Sequence, residues 1–417
     1  MKHTGLTLRA LGGSGENGRN CYLAEDGEHA LLLDCGVLRA VCGEQVGGYP
    51  ALTEDIARRL DAVLLSHAHE DHCAALPLLY ALGFRGMVYA APETIEAVPG
   101  MLKKWRTFVE SSGGTLPYSE QDAEKIRFSP LKIGKNEICG LSVLTGRSGH
   151  TVGSLWFRFP LGGKTVLYAG DCCTCSRTLC FDTLPVCDAA FLDFAYAGRS
   201  LSQQAQYDAL SALLESGKTL LLPVPAAGRG CDLLLHFLAQ GAEVYAEEAI
   251  VRRCEALLAV GSWVRPELPG AIPKAHLHLL CSDADRLAAC QVPGAVILTT
   301  DGMLTAPGGK YLLRQLQSRP DALCVLTGHA APGTPAERLA DAAWRSEHEV
   351  HMEVQNLTVK VHPDETDLEL LLRQTDAKQV VFFHAPADAC QNAIEKAKTA
   401  GVSACCLKPE EALKIGR

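Results

Sequence analysis

The chain has 417 residues, 47% hydrophobic and 21% charged, with 39 Lys+Arg against 48 Asp+Glu and a formal net charge of −9. This composition excludes a disordered polar chain and supplies enough apolar material for two or three packed domains, so neither disulfides nor a metal is needed merely to hold the fold. The acidic balance argues against indiscriminate adhesion to nucleic acid and leaves room for a local basic groove.

From the amino terminus, LTLRAL, CYLAE and HALLLDCG read as strands, DAVLLSH as a fourth, and Ala74–Leu82 as a helix. SLWFRF and KTVLYAG read as later strands. TLLLPV then CDLLLHFLAQG, AVILTT then KYLLRQLQS, and QVVFFH then ACQNAIEKAKTAG read as strand–helix pairs. This alternation predicts a layered α/β architecture. No run of 18 apolar residues occurs, so no membrane partner is expected. The start, MKHTGLTLRALGGSGENG, lacks the apolar core of a signal peptide, which points to the cytoplasm. The 18 cysteines then read as reduced thiols, many of them packed like small hydrophobes, as Cys324 in ALCVL. Cys172 and Cys175 have C-x-x-C spacing but no matching second pair, so packing is preferred there over a second metal or redox site. Lys103, Lys104 and Arg106 read as a solvated helix face anchored by Trp105.

The densest chemistry lies in Ser66-His67-Ala68-His69-Glu70-Asp71-His72, directly after an apolar strand. Buried unpaired His and Asp would be costly, whereas metal coordination offsets that penalty. His67 and His69 alternate and project the same way from an extended segment, with Asp71 and His72 beyond the bend. His150 follows a glycine just before SLWFRF, and Asp171 ends KTVLYAG. Together these residues form an inventory for two adjacent divalent ions with a carboxylate able to bridge them. His3, His29, His236, His276, His278, His348 and His351 have no motif company and are assigned no role.

The unbroken H-x-H-x-D-H run resembles the metallo-β-lactamase superfamily. The next ligand candidate, His384 in VVFFHAP, comes only after a long insert with landmarks of its own. PVPAAGRGCDLLL (Pro223–Leu235) resembles a P-V-x-A-x-G-R-x-x-E-L-L motif, TTDGMLTAPGG (Thr299–Gly309) an S-x-G-M-L-x-x-G segment, and LTGHAAPGT (Leu326–Thr334) an S-G-Y-Q-x-x-G-T segment. GGSGENGRN (Gly12–Asn20) resembles the G-G-x-x-E-x-G-x-N opening of the ribonuclease branch. Together they resemble the β-CASP nucleases, the group of ribonuclease J and the pre-mRNA 3′-end processing endonuclease.

The resemblance implies an αββα sandwich with an inserted α/β β-CASP domain: residues 1–197 and 348–417 form the sandwich and 198–347 the insert. It implies His67, His69 and His150 on one ion, Asp71, His72 and His384 on the other, and Asp171 bridging and catalytic. The ions would be zinc, with manganese able to substitute, and a hydroxide held between them would attack a phosphodiester. The family's acidic motif matches Asp193 in FLDFAYAG, with Tyr196 in an aromatic position. Its S-A-H-A-D motif matches His362 in VKVHPDETD, with Asp364 on the motif's Asp. His362, oriented by Asp193, would be the general acid, and Arg229 and His329 would contact substrate. The chain departs from the pattern at Pro363, at Ala385-Pro386 where Gly-Glu is usual, and at His329 where Tyr is common. DNA-acting members tend to carry Val at the position of His384, so the His points to single-stranded RNA. A small-molecule thioester or lactam hydrolase would leave Asp193, His362 and the insert idle. A non-catalytic binding member would not need the full ligand set. A homodimer is compatible with the sequence.

Overall fold

The computed structural model describes residues 5–42, 45–409 and 411–416; His3 lies outside them. The chain divides into two compact units, one of residues 1–174, 180–200 and 362–417, the other of residues 175–179 and 201–361.

The first unit contains two seven-stranded sheets. In the first sheet, Leu6–Gly12, Cys21–Glu25 and Ala30–Leu33 pair antiparallel, and Ala62–Leu64, Met87–Ala90 and Phe128–Pro130 continue in parallel. Ala412–Ile415 closes its edge against Leu6–Gly12. In the second sheet, Ser403–Cys405, Gln379–Phe383, Ala189–Asp193 and Lys164–Tyr168 run parallel. Leu155–Leu161, Leu141–Arg147 and Gly134–Ile138 follow antiparallel.

Strand alternation explains the layering. Cys21 and Leu23 point to one face, where they join the core built with the helices Glu54–Arg59, Leu76–Ala81 and Pro92–Ser111. Tyr22, between them, points to the other face, with its ring centroid 4.9 Å from Phe191, 5.4 Å from Phe383 and 5.8 Å from Tyr168 of the second sheet. The helices Leu368–Thr375 and Gln391–Thr399 contribute to the core on the second sheet's outer side. The result is the αββα sandwich. Trp105 is fully buried and its indole N–H donates to Tyr49 Oη at 3.2 Å, anchoring the charged helix around it.

The second unit is an all-parallel six-stranded sheet, ordered Leu277–Leu280, Val244–Glu247, Val296–Thr299, Thr219–Pro223, Ala322–Leu326, Glu353–Asn356. Its central strands TLLLP, VILT and ALCVL are buried at every position, as expected where helices cover both faces of a parallel sheet. Glu353–Asn356 pairs with Ala322–Leu326, so residues 348–361 stay with this unit and the chain returns to the sandwich at His362 instead of residue 348. The strand EVQN is largely exposed and carries a single apolar side chain, which hides it from a reading based on hydrophobic periodicity. No described helix is long and apolar enough to cross a membrane.

Candidate metal centre

After Ala62–Leu64 the chain leaves the sheet and enters a short helix, Glu70–Cys73, with His69 at its N-cap. Backbone hydrogen bonds moor this turn: His72 O accepts from Cys35 N at 2.7 Å and Asp71 O accepts from Asn20 N at 2.8 Å. Gly36 makes the approach sterically feasible, because a Cβ there would fall 1.7 Å from Asp71 O. His150 follows Gly149, whose φ of +74° and proximity to Cys173 O, 2.4 Å from a built Cβ, leave no space for a side chain. His384 follows Gln379–Phe383 with φ +63°, and its N–H donates to Gly13 O at 2.8 Å.

All the sandwich candidates converge. Ligand-type atoms of His67, His69, His150 and Asp171 lie within 4.8 Å of one another, as do those of Asp71, His72, Asp171 and His384, and those of Asp171, Asp193, His362 and His384. Asp171 is common to all three groups. Its Oδ1 is 3.1 Å from His72 Nε2 and 3.3 Å from His384 Nδ1. Its Oδ2 is 3.7 Å from His67 Nε2, 3.6 Å from His150 Nε2 and 3.9 Å from His362 Nδ1. Asp171 and His67 are 1% and 0% exposed, a place where polar atoms are costly unless coordinated or hydrogen-bonded. Yet His67 Nε2, Asp171 Oδ1 and His384 Nδ1 have no hydrogen-bond partner. Buried, orphaned donor atoms of borderline and hard type, converging on shared points, fit divalent cations.

The charges support the same reading. Burial raises the Asp171 carboxyl, but the imidazoles of His384 and His72 outweigh it and hold it well below the usual carboxylate range. Asp71 is lowered likewise, His72 and His384 overcoming burial. Burial pushes His67 well below its ordinary value, with His72 and His69 adding to the effect, so that ring is a neutral lone-pair donor.

A family model described as a beta-lactamase superfamily domain matches residues 29–224. The transcription termination factor FttA of Lokiarchaeum sp. (strain GC14_75) is 26% identical over 366 residues, covering 80% of this chain and 57% of the relative. An RNase J-like protein of Methanocaldococcus jannaschii is 25% identical over 367 residues, covering 81% of each. Among solved structures, a protein of unknown function from Enterococcus faecalis V583 superposes with TM-score 0.61 over 98% of this chain and 100% of that one, at 13% identity. Over residues 29–224 the chain matches the beta-lactamase superfamily domain. It spans little more than half the length of its Lokiarchaeum relative.

Asp193 is fully buried and accepts from Cys172 N at 3.0 Å, Ala195 N at 2.9 Å and His362 Nδ1 at 2.8 Å. The first two bonds fix the carboxylate, and the third orients the imidazole. Tyr196 has its ring centroid 5.5 Å from that of His362. Asp364 accepts from the Thr366 N–H and hydroxyl at 2.9 and 2.6 Å, which makes it a loop-former. Cys172 is buried in the core and Cys175 is partly exposed and outside any disulfide; neither is in the metal-ligand groups.

Sequence reasoning passed over Asp34. This fully buried residue accepts from His72 Nδ1 at 2.6 Å, Ser66 N at 2.6 Å and Ser66 Oγ at 2.7 Å, and also from the Tyr168 hydroxyl. Holding Nδ1 presents His72 Nε2 to the cluster, the carboxylate–histidine arrangement that orients metal ligands. Asn20 closes the Gly12–Asn20 motif. Its Nδ2 lies 2.9 Å from His72 Nε2 and 3.3 Å from Asp71 Oδ2, and its Oδ1 accepts from Tyr22 Oη. Asp34→Ala orphans four donors, so metal affinity is expected to fall about 10–100-fold and the melting temperature to drop. Titration against a chelating dye checks this, and unchanged affinity would remove Asp34 from the site.

Arg229 and His329 belong to the other unit and are not among the clustered residues. Arg229 opens the helix Arg229–Ala239, its guanidinium lies against Gly328, and its Nε is buried without a hydrogen-bond partner. His329 is exposed. One turn along, Asp232 is nearly fully buried; burial raises its carboxyl to about 6 against the Thr178 hydroxyl bond and the charges of Arg177 and Arg229. A carboxyl raised from 3.8 to about 6 on folding favours the folded state below pH 3.8, and that contribution is lost as pH rises through 6. The shift corresponds to about 3 kcal/mol. Asp232→Asn, which can still accept from Thr178, is expected to raise the melting temperature at pH 8 and leave it nearly unchanged at pH 4. Equal shifts at both pH values would refute the assignment.

Proposed function

We propose that the protein is a metal-dependent ribonuclease that hydrolyses phosphodiester bonds of single-stranded RNA at the Asp171 cluster. The reading rests above all on Asp171 belonging to all three four-residue ligand groups at once, the third of which holds the hydrogen-bonded Asp193–His362 pair. His67, His69 and His150 would hold one divalent ion, Asp71, His72 and His384 a second, and Asp171 would reach both. Borderline imidazole donors favour zinc, and the carboxylates also suit manganese. When bound, such ions lower the pKa of water towards ~7 and neutralise charge on a phosphate oxygen.

The chain's own residues supply the rest. Hydrolysis breaks the bond from phosphorus to the 3′-oxygen, which leaves needing a proton. With its Nδ1 donating to Asp193 at 2.8 Å, His362 delivers that proton from Nε2 as general acid. The products are a 3′-hydroxyl and a 5′-phosphate. Arg229, a planar donor fork at a helix start, suits a phosphate of the bound strand, with exposed His329 beside its Gly328 contact. The Methanocaldococcus relative is named RNase J-like and the Lokiarchaeum relative a transcription termination factor, and both names favour RNA over a thioester or lactam. None of the cysteines whose side chains are described forms a disulfide, which suits a reducing compartment such as the cytoplasm.

Incubation with 5′-labelled and 3′-labelled single-stranded RNA and DNA tests this. RNA fragments bearing 5′-phosphates should appear, stop with chelator and return with Zn2+ or Mn2+. Intact RNA beside rapid turnover of a thioester or lactam would overturn it.

A further inference from the structure

In the inserted unit, two cavities adjoin along the helix Pro307–Leu316. The first, about 560 Å³, is lined by Glu247, Arg286, Thr300, Lys310, Tyr311 and Arg314. The second, about 240 Å³, is lined by Lys310, Arg314, Arg338 and Trp344 among others. Lys310 and Arg314, one helical turn apart and both exposed, form the wall they share. The larger volume lies within the ~300–1,000 Å³ usual for ligand pockets. It opens at the carboxyl ends of Val244–Glu247 and Val296–Thr299, the edge at which open parallel sheets bind ligands.

The charges here are unequally satisfied. Arg286 is neutralised by Glu247 at 3.1 Å and Asp283 at 2.9 Å. Glu247 also accepts from the Thr300 N–H and hydroxyl. Lys310, Arg314 and Arg338 have no ion pair among the described residues. In a chain of net charge −9, two such cations on the shared wall, with Asp301 near enough to Lys310 to feel its charge, and a third, Arg338, lining the second cavity are local enough to need an explanation. Aromatic surface is interleaved with them. Tyr311 lines the first cavity and Trp344 the second, and the Trp344 ring is stacked on His348 with centroids 4.1 Å apart at 17°. Cations without an ion pair spaced along a concave track, with Tyr311 and the partly buried Trp344 beside them, match a polyanion whose bases can stack, which an acidic peptide does not offer.

We propose that this surface is a second contact for single-stranded RNA, in which Lys310, Arg314 and Arg338 track the phosphate backbone while Tyr311 and Trp344 receive unstacked bases. It rests on the ribonuclease reading and uses none of the residues of the metal cluster.

The test is the full-length double variant Lys310→Glu/Arg314→Glu, with binding of a labelled oligouridylate followed by anisotropy across about 50–200 mM salt. Affinity should fall about tenfold or more at the low end, and the slope of log K against log salt should flatten by roughly 1.4, since each single-strand phosphate contact contributes ~0.7. Hydrolysis of bis(p-nitrophenyl) phosphate, too small to span the surface, should be unchanged. Unaltered RNA affinity and slope, or no RNA binding by the parent protein, would overturn the proposal. So would an equal loss of affinity for uridine monophosphate alone, which would make this a small-phosphate pocket. If neither protein cleaves any phosphodiester, the ribonuclease reading fails, while the binding arms still decide this surface.

Discussion

Replacing Asp171 by alanine is expected to empty the centre of metal and to lower RNA cleavage by at least about 10³-fold, the scale of losing a group on which the whole catalytic unit depends. Its two oxygens lie 3.1 to 3.9 Å from nitrogens of five histidines. No other described side chain belongs to all three ligand groups. Removing it takes a donor from both prospective ions and leaves His72 and His384 without the anion that most strongly raises them. His69→Ala removes a donor from one group only and is expected to cost metal and activity together, with less metal lost than in Asp171→Ala. Metal content per chain by mass spectrometry, beside single-turnover rates, reads both. An Asp171→Ala protein that still carried two ions and cleaved RNA would dismantle the site as described.

The parts of this architecture that were legible in the sequence share a physical reason. His67, His69, Asp71 and His72 are too polar and too crowded after an apolar strand to be core, so the sequence alone points to metal. The apolar strands TLLLP, VILT and QVVFF announced themselves by composition and are buried nearly throughout. Asp34 was illegible because an Asp closing HALLLDCG looks like any strand-end turn-former. Its role depends on Ser66, His72 and Tyr168 arriving from distant positions. The signal was the neighbouring Gly36, whose missing Cβ lets the Asp71 backbone approach. Cys172 was readable as a packing thiol, but its backbone N–H, a donor to Asp193, was not. Glu353–Asn356 escaped for the opposite reason to the central strands, since its stability comes from edge pairing and not from an apolar face.

His362→Ala is expected to keep its metal and lose most of its turnover on RNA. The two four-residue groups without His362 stay complete, and Asp193 retains the N–H groups of Cys172 and Ala195 when the imidazole is gone. What disappears is a proton donor, a loss of about 10²–10⁴ in rate for general acid catalysis. The leaving group separates this from a general collapse of the site. A ribose 3′-oxygen must be protonated as it departs, whereas p-nitrophenolate is stable as an anion. The variant should therefore hydrolyse bis(p-nitrophenyl) phosphate almost as fast as the parent while RNA cleavage falls, and added imidazole should restore part of the RNA rate. Asp193→Asn should shift the same ratio less, since it perturbs the orientation of His362 and keeps the ring. If both substrates slow equally in His362→Ala, or if the ions leave with the side chain, His362 is a ligand or a packing residue and the proton comes from elsewhere.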